Sequence, residues 1–192
     1  MSEIVGQENI IEKINELKDE YYSTHSKNTF FKKSQKMECA KYISDSVDLN
    51  TLIDSTIFVV PNTNTIYIDY TVFKLYGTPE NYDQIIDHIM NTFKYIISYF
   101  SCYEVYVNLD TFTVSSAERY KEIIRSFCNK CLNDNTKFGE LLSKFHILNT
   151  PSVMELIIKI FKPFVDPLVI NKIQFYKKEE SAEIITTRFQ RV

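Results

Sequence analysis

The residue types that most often carry chemistry are few and scattered in this sequence. Cys128 and Cys131 form a Cys-x-x-Cys pair, but they lie inside a predicted helix, and no second pair completes a zinc site. His25, His88 and His146 stand far apart, and His146 falls in a predicted strand, where a histidine is usually structural. No nucleophile elbow and no glycine-rich phosphate loop occurs. The sequence therefore predicts neither an enzyme nor a metal or cofactor site, and the two cysteines are interpreted as core or partly buried thiols.

Four lysines beside apolar residues are the remaining candidates, and their chemistry would be contact with an anionic surface. Lys159 and Lys162 are three residues apart and share one helix face, where long stems can cover apolar surface while the ammonium groups reach lipid headgroups. Lys32 and Lys33 follow two adjacent phenylalanines, a combination that also suits a membrane surface. The alternative in both places is a solvated rim or loop without a binding role.

Length and composition bound the class of protein. The chain has 192 residues, 44% hydrophobic and 14% aromatic, which is typical of a globular fold that needs no disulfide or metal. Its net charge of −3 gives no basic signal for nucleic acid. The start lacks the features of a secretory signal, and no apolar run approaches the roughly 20 residues needed to cross a bilayer. We therefore expect the cysteines to be reduced. We also expect a cytoplasmic protein that contacts membranes peripherally.

The elements that would position a site are organised around residues 142–176, whose pattern predicts a strand, a turn, a helix, a break and a strand. Thr150 is expected to cap the helix, with Pro151 at its first position, where a missing N–H costs nothing. This helix, predicted over residues 152–165, is apolar on nearly every side, whereas a soluble helix normally keeps a polar back. The protein interior can cover one side of such a helix. The other side must be covered by a partner chain, a membrane or a bound apolar ligand. Pro163 kinks or ends it.

The rest of the chain alternates strands and helices, which predicts an α/β fold with a largely parallel sheet centre. Thr78 is expected to cap the first long helix, with Pro79 at its first position. Residues 1–53 are predicted to be an N-terminal helical extension, and residues 54–192 the α/β domain. The other expected elements are helices at 3–22 and 36–53, strands at 56–60, 65–72, 102–109 and 172–176, and a last edge strand at 183–189.

The central stretch resembles the CRAL-TRIO family, the lipid-transfer fold of the yeast phosphatidylinositol-transfer protein and its relatives. Three segments carry the resemblance in the family's order and spacing: Lys144 to Pro151 (KFHILNTP), Phe161 to Pro167 (FKPFVDP) and Asn171 to Ile173 (NKI). The resemblance implies a small, mostly parallel mixed sheet flanked by helices, which forms the floor of an apolar pocket, with the 152–165 helix as its gate. In length the chain also looks like the compact BCH-type members, some of which are protein-interaction scaffolds.

The resemblance also implies roles for particular residues. Glu140 and Lys172 match the headgroup-binding glutamate and lysine of the phosphoinositide-binding members. A lysine offers a positive charge to an inositol phosphate, and a nearby carboxylate accepts sugar hydroxyls or orients the lysine. The alternative is that both are ordinary surface residues at strand ends. Five apolar residues would form the pocket wall and gate, namely Met154, Ile157, Ile158, Phe161 and Phe164.

Two functional hypotheses follow from these expectations. The first is a non-enzymatic module that binds, transfers or presents one amphipathic lipid, with a phosphoinositide as the candidate. The second is a protein-interaction scaffold whose pocket is filled by its own Phe and Tyr side chains, with a homodimer that buries the apolar helix as a variant. The expected partners are thus a lipid, a membrane surface, and a protein or a second copy of the chain.

Overall fold

The computed structural model of the protein describes residues 2–25 and 32–189, which fold as helices around one sheet. The elements are α1 (Ser2–Thr24), α2 (Lys32–Ser46), α3 (Leu49–Thr56), β1 (Ile57–Val59), β2 (Thr65–Asp69), α4 (Tyr70–Phe73), α5 (Tyr82–Phe100), β3 (Tyr103–Asn108), α6 (Val114–Arg119), α7 (Lys121–Asn133), α8 (Phe138–Leu141), β4 (Leu142–Leu148), α9 (Met154–Phe161), α10 (Pro167–Ile170), β5 (Ile173–Phe175), α11 (Lys178–Ile184) and a π-helix (Ile185–Phe189).

The sheet runs in the order β1-β2-β3-β4-β5, so neighbours in sequence are neighbours in space. β1 and β2 form an antiparallel hairpin, and β2 to β5 are parallel to one another. Successive right-handed crossovers between parallel strands in this order place their helices on the same side of the sheet. The predicted α/β fold, with a mostly parallel mixed sheet and helices before it, is confirmed.

We call the side covered by these crossovers the helical face. A row of apolar residues crosses it from β2 to β5, in which Ile66 pairs with Val105, Val105 with Phe145, and Phe145 with Ile173. α5 packs its buried stripe into the same hydrophobic cluster as this row. Buried residues of α1 and α2 belong to that cluster too, so the N-terminal helices share one core with the sheet. The domain boundary near residue 53 stays a prediction.

The opposite side, which we call the C-terminal face, is covered by α11 and the π-helix. The adjacent row of the sheet points there, with Tyr67 paired to Tyr106 and Tyr106 to His146. The ring of Phe189 lies 4.4 Å from that of Tyr67 and 5.0 Å from that of Tyr106, measured between centroids. This second, smaller cluster also includes Leu148.

The predicted edge strand at 183–189 is wrong, because this segment is helical. α11 begins with the carboxylate of Glu180 accepting a hydrogen bond from the backbone N–H of Lys177 at 2.9 Å. The helix then turns Ile184, Ile185 and Phe189 toward the C-terminal face, which would otherwise present apolar rings to water. Burial of that face therefore overrides the β propensity of Ile and Thr.

Three predicted boundaries also shift because short polar side chains cap the backbone earlier or later than expected. Asp69 ends β2 and accepts from the N–H of Thr71, so α4 starts where a longer strand was predicted. Asp48 caps α3 and divides the helix expected at 36–53. Thr78 does not cap α5, which begins at Tyr82, because its N–H is bound by the side chain of Asn81.

Candidate functional site

A cavity of about 70 Å³ lies between the helical face of the sheet, α7 and the segment that precedes β5. We call it the α7 cavity. Its walls come mainly from apolar and aromatic side chains, and Asp166 is the one charged residue in the lining. The residues that matter below are Phe93, Phe127, Cys128, Phe138, Phe145 and Val169.

The volume of the α7 cavity limits what it can hold in this conformation. A water molecule occupies about 30 Å³ of liquid, so the cavity of about 70 Å³ would take a few carbon atoms at most. Pockets that enclose whole organic ligands measure about 300–1,000 Å³. A bound acyl chain would therefore have to widen the cavity by moving one of its walls.

The two cysteines of the Cys-x-x-Cys pair line the cavity and make it less polar. Burial raises the pKa of the Cys128 thiol to about 11 and that of Cys131 to about 12, so both are neutral at physiological pH. Cys131 Sγ lies 3.6 Å from Met90 Sδ, and both cysteines are free thiols. Their interpretation as partly buried thiols agrees with this geometry. The cavity thus presents soft, uncharged atoms that suit an apolar ligand.

One wall of the cavity is residues 165–172, which we call the closing segment. It contains the four-residue helix α10, capped by Asp166, whose carboxylate accepts from the N–H of Leu168 at 2.8 Å. The same carboxylate lies against Gly139, where a Cβ atom would collide with it. Gly139 is therefore needed for the closing segment to approach α8.

Lys172 fastens the closing segment to the start of β4. Its ammonium donates hydrogen bonds to the carbonyl oxygens of Gly139 at 2.8 Å, Glu140 at 3.1 Å and Leu142. These bonds use all three donors of the ammonium. The carboxylate of Glu140 instead pairs with Lys137 at 3.3 Å. The structure thus brings Lys172 to the backbone of Glu140 rather than to its side chain, and their headgroup role stays a prediction.

The five residues predicted as pocket and gate lie on α9 and just after it, and they do not line the α7 cavity. Met154 and Ile157 are buried and pack into the main core. Phe161 and Phe164 are half-buried, and Ile158 is 39% exposed. α9 packs against α6 and α7. It therefore lies beside the cavity rather than over it.

α9 is shorter than the predicted 152–165 helix, because Thr150 does not cap it. The hydroxyl of Thr150 donates to the carbonyl of Ile147 at 3.1 Å, and the helix starts only at Met154. Leu156, which is 51% exposed, and Ile158, which is 39% exposed, lie at opposite edges of its outer side, because residues two apart are turned about 200° around a helix. The prediction of a helix with uncovered apolar residues thus matches the geometry.

Three of the four lysines predicted to contact membranes have exposed side chains in the described part of the chain. Lys159 and Lys162 are exposed on the same helix as Leu156 and Ile158, so apolar and cationic groups share one surface. Lys33 is exposed in the first turn of α2. The side chain of Lys32 and the preceding phenylalanines lie outside the described residues. No helix in the described ranges is long and apolar enough to pass through a bilayer.

Comparison with protein-family models finds a match to the CRAL/TRIO domain over residues 77–191, which is more than half of the chain. None of the curated proteins compared with the chain matches it. The matched range includes the α7 cavity, the closing segment and α9. Because the match is to the family as a whole, neither the yeast phosphatidylinositol-transfer type nor the compact BCH type is singled out.

Proposed function

Because the chain belongs to the CRAL/TRIO domain family, whose members generally bind lipids or other small hydrophobic ligands and are not enzymes, we propose that it binds one acyl-chain lipid through the α7 cavity. The observation that supports this proposal is a mainly apolar cavity, lined by aromatic rings and neutral thiols with Asp166 as its one charged residue, next to the short closing segment. The closing segment meets the sheet at its last residue, where the carbonyl of Lys172 accepts from the N–H of Phe145 at 3.0 Å, so α10 can move while β5 stays paired.

Opening would begin at the closing segment, where the helical structure is discontinuous. Pro163 precedes the segment and cannot extend α9, Pro167 occupies the first position of α10, and α10 is only four residues long. Displacing it costs the hydrogen bonds of Lys172, each about 1.5–3 kcal/mol for a charged donor when fully buried. Each acyl methylene that enters returns about 0.8 kcal/mol, so a long chain can offset that cost.

The opened state would also free a cation at the mouth of the cavity. Once Lys172 leaves the carbonyls of Gly139, Glu140 and Leu142, its ammonium can bind the phosphate of a lipid headgroup. Glu140 is then close enough in space to orient the lysine or accept headgroup hydroxyls, since its carbonyl lies 3.1 Å from the Lys172 ammonium in the closed state. A phosphoinositide fits this chemistry, and the exchange of carbonyl for phosphate would couple opening to headgroup binding.

Loading requires contact with a membrane, and the outer side of α9 is suited to it. Leu156 and Ile158 are exposed beside Lys159 and Lys162. Apolar side chains can enter the headgroup region while lysines pair with anionic lipids, each contributing about 1 kcal/mol.

The test is native mass spectrometry after incubation with vesicles that contain a phosphoinositide. We expect the wild type to acquire the mass of one lipid, and Val169→Phe to lose most of that signal because its ring occupies the cavity. Val153→Phe is the matched control, since Val153 is 38% exposed and outside the cavity lining. Absence of a lipid-bound mass in the wild type, or equal loading of both variants, would count against the proposal.

A second candidate function, a protein-interaction scaffold, is favoured by how completely aromatic rings fill the helical face. The ring of Phe93 lies 4.7 Å from Tyr103, 5.7 Å from Phe138 and 5.9 Å from Phe127, between centroids. The α7 cavity that remains beside these rings measures about 70 Å³. A scaffold would stay free of lipid in the same experiment and would show a stable partner, or a dimer by light scattering.

A further inference from the structure

A buried histidine on the C-terminal face has an unusual set of neighbours. His146 is only 4% exposed, and its ring stacks on that of Tyr106 with centroids 3.9 Å apart. Its Nδ1 atom lies 2.9 Å from the hydroxyl of Tyr176. Its Nε2 atom is buried, has no hydrogen-bond partner among the described residues, and lies 3.7 Å from the carboxylate of Glu104. A buried polar atom without a partner costs free energy, so the arrangement calls for an explanation.

The hydrogen bonds around the ring favour a proton on Nδ1. In the amide orientation in which the side-chain oxygen of Gln174 accepts, at 2.8 Å, from the hydroxyl of Tyr176, that hydroxyl has no further proton to give. His146 then donates from Nδ1 to Tyr176, and the neutral ring has a bare Nε2 that lies 3.7 Å from the Glu104 carboxylate. Adding a proton at Nε2 would convert this contact of two acceptors into a hydrogen-bonded ion pair.

Other charges around the ring oppose that proton. Arg188 of the π-helix donates to the hydroxyl of Tyr106 at 2.9 Å, on the residue that stacks with His146, and Lys144 lies on the same strand as the histidine. Burial lowers the pKa of His146 most, and Lys144 and Arg188 lower it further, whereas Glu104 raises it. From α11, Glu180 acts on Tyr176 rather than on the histidine itself.

We infer that the C-terminal helical segment, residues 178–189, is a cover over the C-terminal face that acid releases, with His146 as the proton acceptor. A protonated ring is poorly tolerated beneath Arg188, and removal of the segment admits water and takes that cation away. The segment is suited to release because it ends in a π-helix, an irregular geometry frequent at functional sites. At its start the segment is held by the buried hydroxyl of Ser181, which accepts from the N–H of Asn149 at 2.7 Å. Its far end, residues 185–189, is held by the packing of Ile185 and Phe189 and by the hydrogen bond of Arg188.

Hydrogen–deuterium exchange at pH 7.5, 6.5 and 5.5, corrected for intrinsic exchange rates, tests this inference. One proton taken up on opening allows at most about a tenfold rise in opening per pH unit. We expect residues 178–189 to exchange faster as the pH falls, while α5 keeps its protection. His146→Gln should abolish the response, and His88→Gln, a substitution in α5 remote from the C-terminal segment, should leave it unchanged.

A second variant keeps the inference testable if His146→Gln does not fold. Glu104→Gln preserves shape but removes the carboxylate that favours the proton, and this loss is felt most in the closed state, where little water screens the pair. The pKa of His146 in the closed state then falls further, so acid should release the segment more strongly than in the wild type. An unchanged or weaker acid response in Glu104→Gln, the same acid response in His146→Gln, or an equal loss of protection in α5 would each overturn the inference.

Discussion

The two faces of one sheet are built from different chemistry, although their residues alternate along the same strands. On the helical face, the row through Val105 and Phe145 is held by apolar packing alone and leaves the α7 cavity. On the C-terminal face, the neighbouring row through Tyr106 and His146 is fixed by ring stacking and hydrogen bonds. Apolar contacts have no preferred direction and can rearrange around a ligand, whereas a hydrogen-bonded stack admits one arrangement. We therefore expect the helical face to respond to an apolar ligand and the C-terminal face to respond to the binding of a proton.

The largest expected effect comes from shortening a buried ring on the helical face. Phe138 is 2% exposed and lines the cavity, so Phe138→Ala should lower the free energy of unfolding by about 3–5 kcal/mol. Urea denaturation followed by circular dichroism measures it. Phe189→Ala, the matched truncation on the other face, should cost less because its segment can detach while the sheet stays folded. Equal costs would remove the contrast between the faces.

The next effect concerns the fastening of the closing segment. Lys172→Met leaves the carbonyls of Gly139, Glu140 and Leu142 without their donor, and we expect a loss of about 2 kcal/mol in the free energy of unfolding. Lipid uptake should become faster, while preference for a phosphorylated headgroup should fall. Lys162→Met, at an exposed position, is the control and should change stability by less than about 0.5 kcal/mol. Slower uptake in Lys172→Met would contradict the opening step.

A smaller effect is the pH dependence that the C-terminal face contributes. Because the pKa of His146 is lower in the folded chain than its ordinary value near 6.5, the unfolded chain binds the proton more readily. The stabilising contribution is therefore complete above pH 6.5 and is lost as the pH falls from there toward the folded pKa. The slope from one proton is at most about 1.4 kcal/mol per pH unit. Thermal unfolding of wild type and His146→Gln between pH 5 and 8 should differ in this window, and parallel curves would contradict it.

The smallest effect on stability is expected on the outer side of α9. Leu156→Gln replaces a side chain that is 51% exposed, so the free energy of unfolding should change by less than about 0.5 kcal/mol. Sedimentation with anionic vesicles should nevertheless weaken, because the apolar group offered to the membrane is gone. Glu155→Gln, at the neighbouring exposed position, should not weaken binding. A stability loss of several kcal/mol in Leu156→Gln would mean that α9 has a covered outer side.

Much of the fold could be predicted because its signals are local. The run from Lys144 to Pro151 predicts the strand β4 and carries part of the family resemblance. The apolar stripes of α5 and α7 predict the helices that pack on the sheet. The segment 183–189 was misassigned because Ile and Thr favour strands in isolation, and only the uncovered C-terminal face makes them helical. Thr78 and Asn81 show the same limit, since Asn81, which directly precedes α5, is held by a hydrogen bond from its amide to the hydroxyl of Ser44 in α2 at 3.1 Å, a contact that the local pattern does not reveal.

The candidate site was harder to predict than the fold. The apolar helix can be recognised from the sequence because its pattern is unusual. The α7 cavity is lined by residues such as Phe127 and Val169, whose sequence pattern is that of ordinary core residues. Only their meeting across α7, β4 and the closing segment creates a void. Similarly, the family resemblance implied that Glu140 and Lys172 act together, but not that the lysine binds backbone carbonyls. Side-chain partners of this kind depend on tertiary geometry that a single sequence does not display.

The most direct test of lipid binding through the α7 cavity is photo-crosslinking. A phosphoinositide with a diazirine at the end of its acyl chain would be loaded from vesicles, irradiated, and its adducts mapped by peptide mass spectrometry. We predict adducts on α7 and the closing segment, at residues such as Phe127, Cys128 and Val169. Adducts confined to the outer side of α9 or to the C-terminal face, with none in the α7 cavity, would contradict the account.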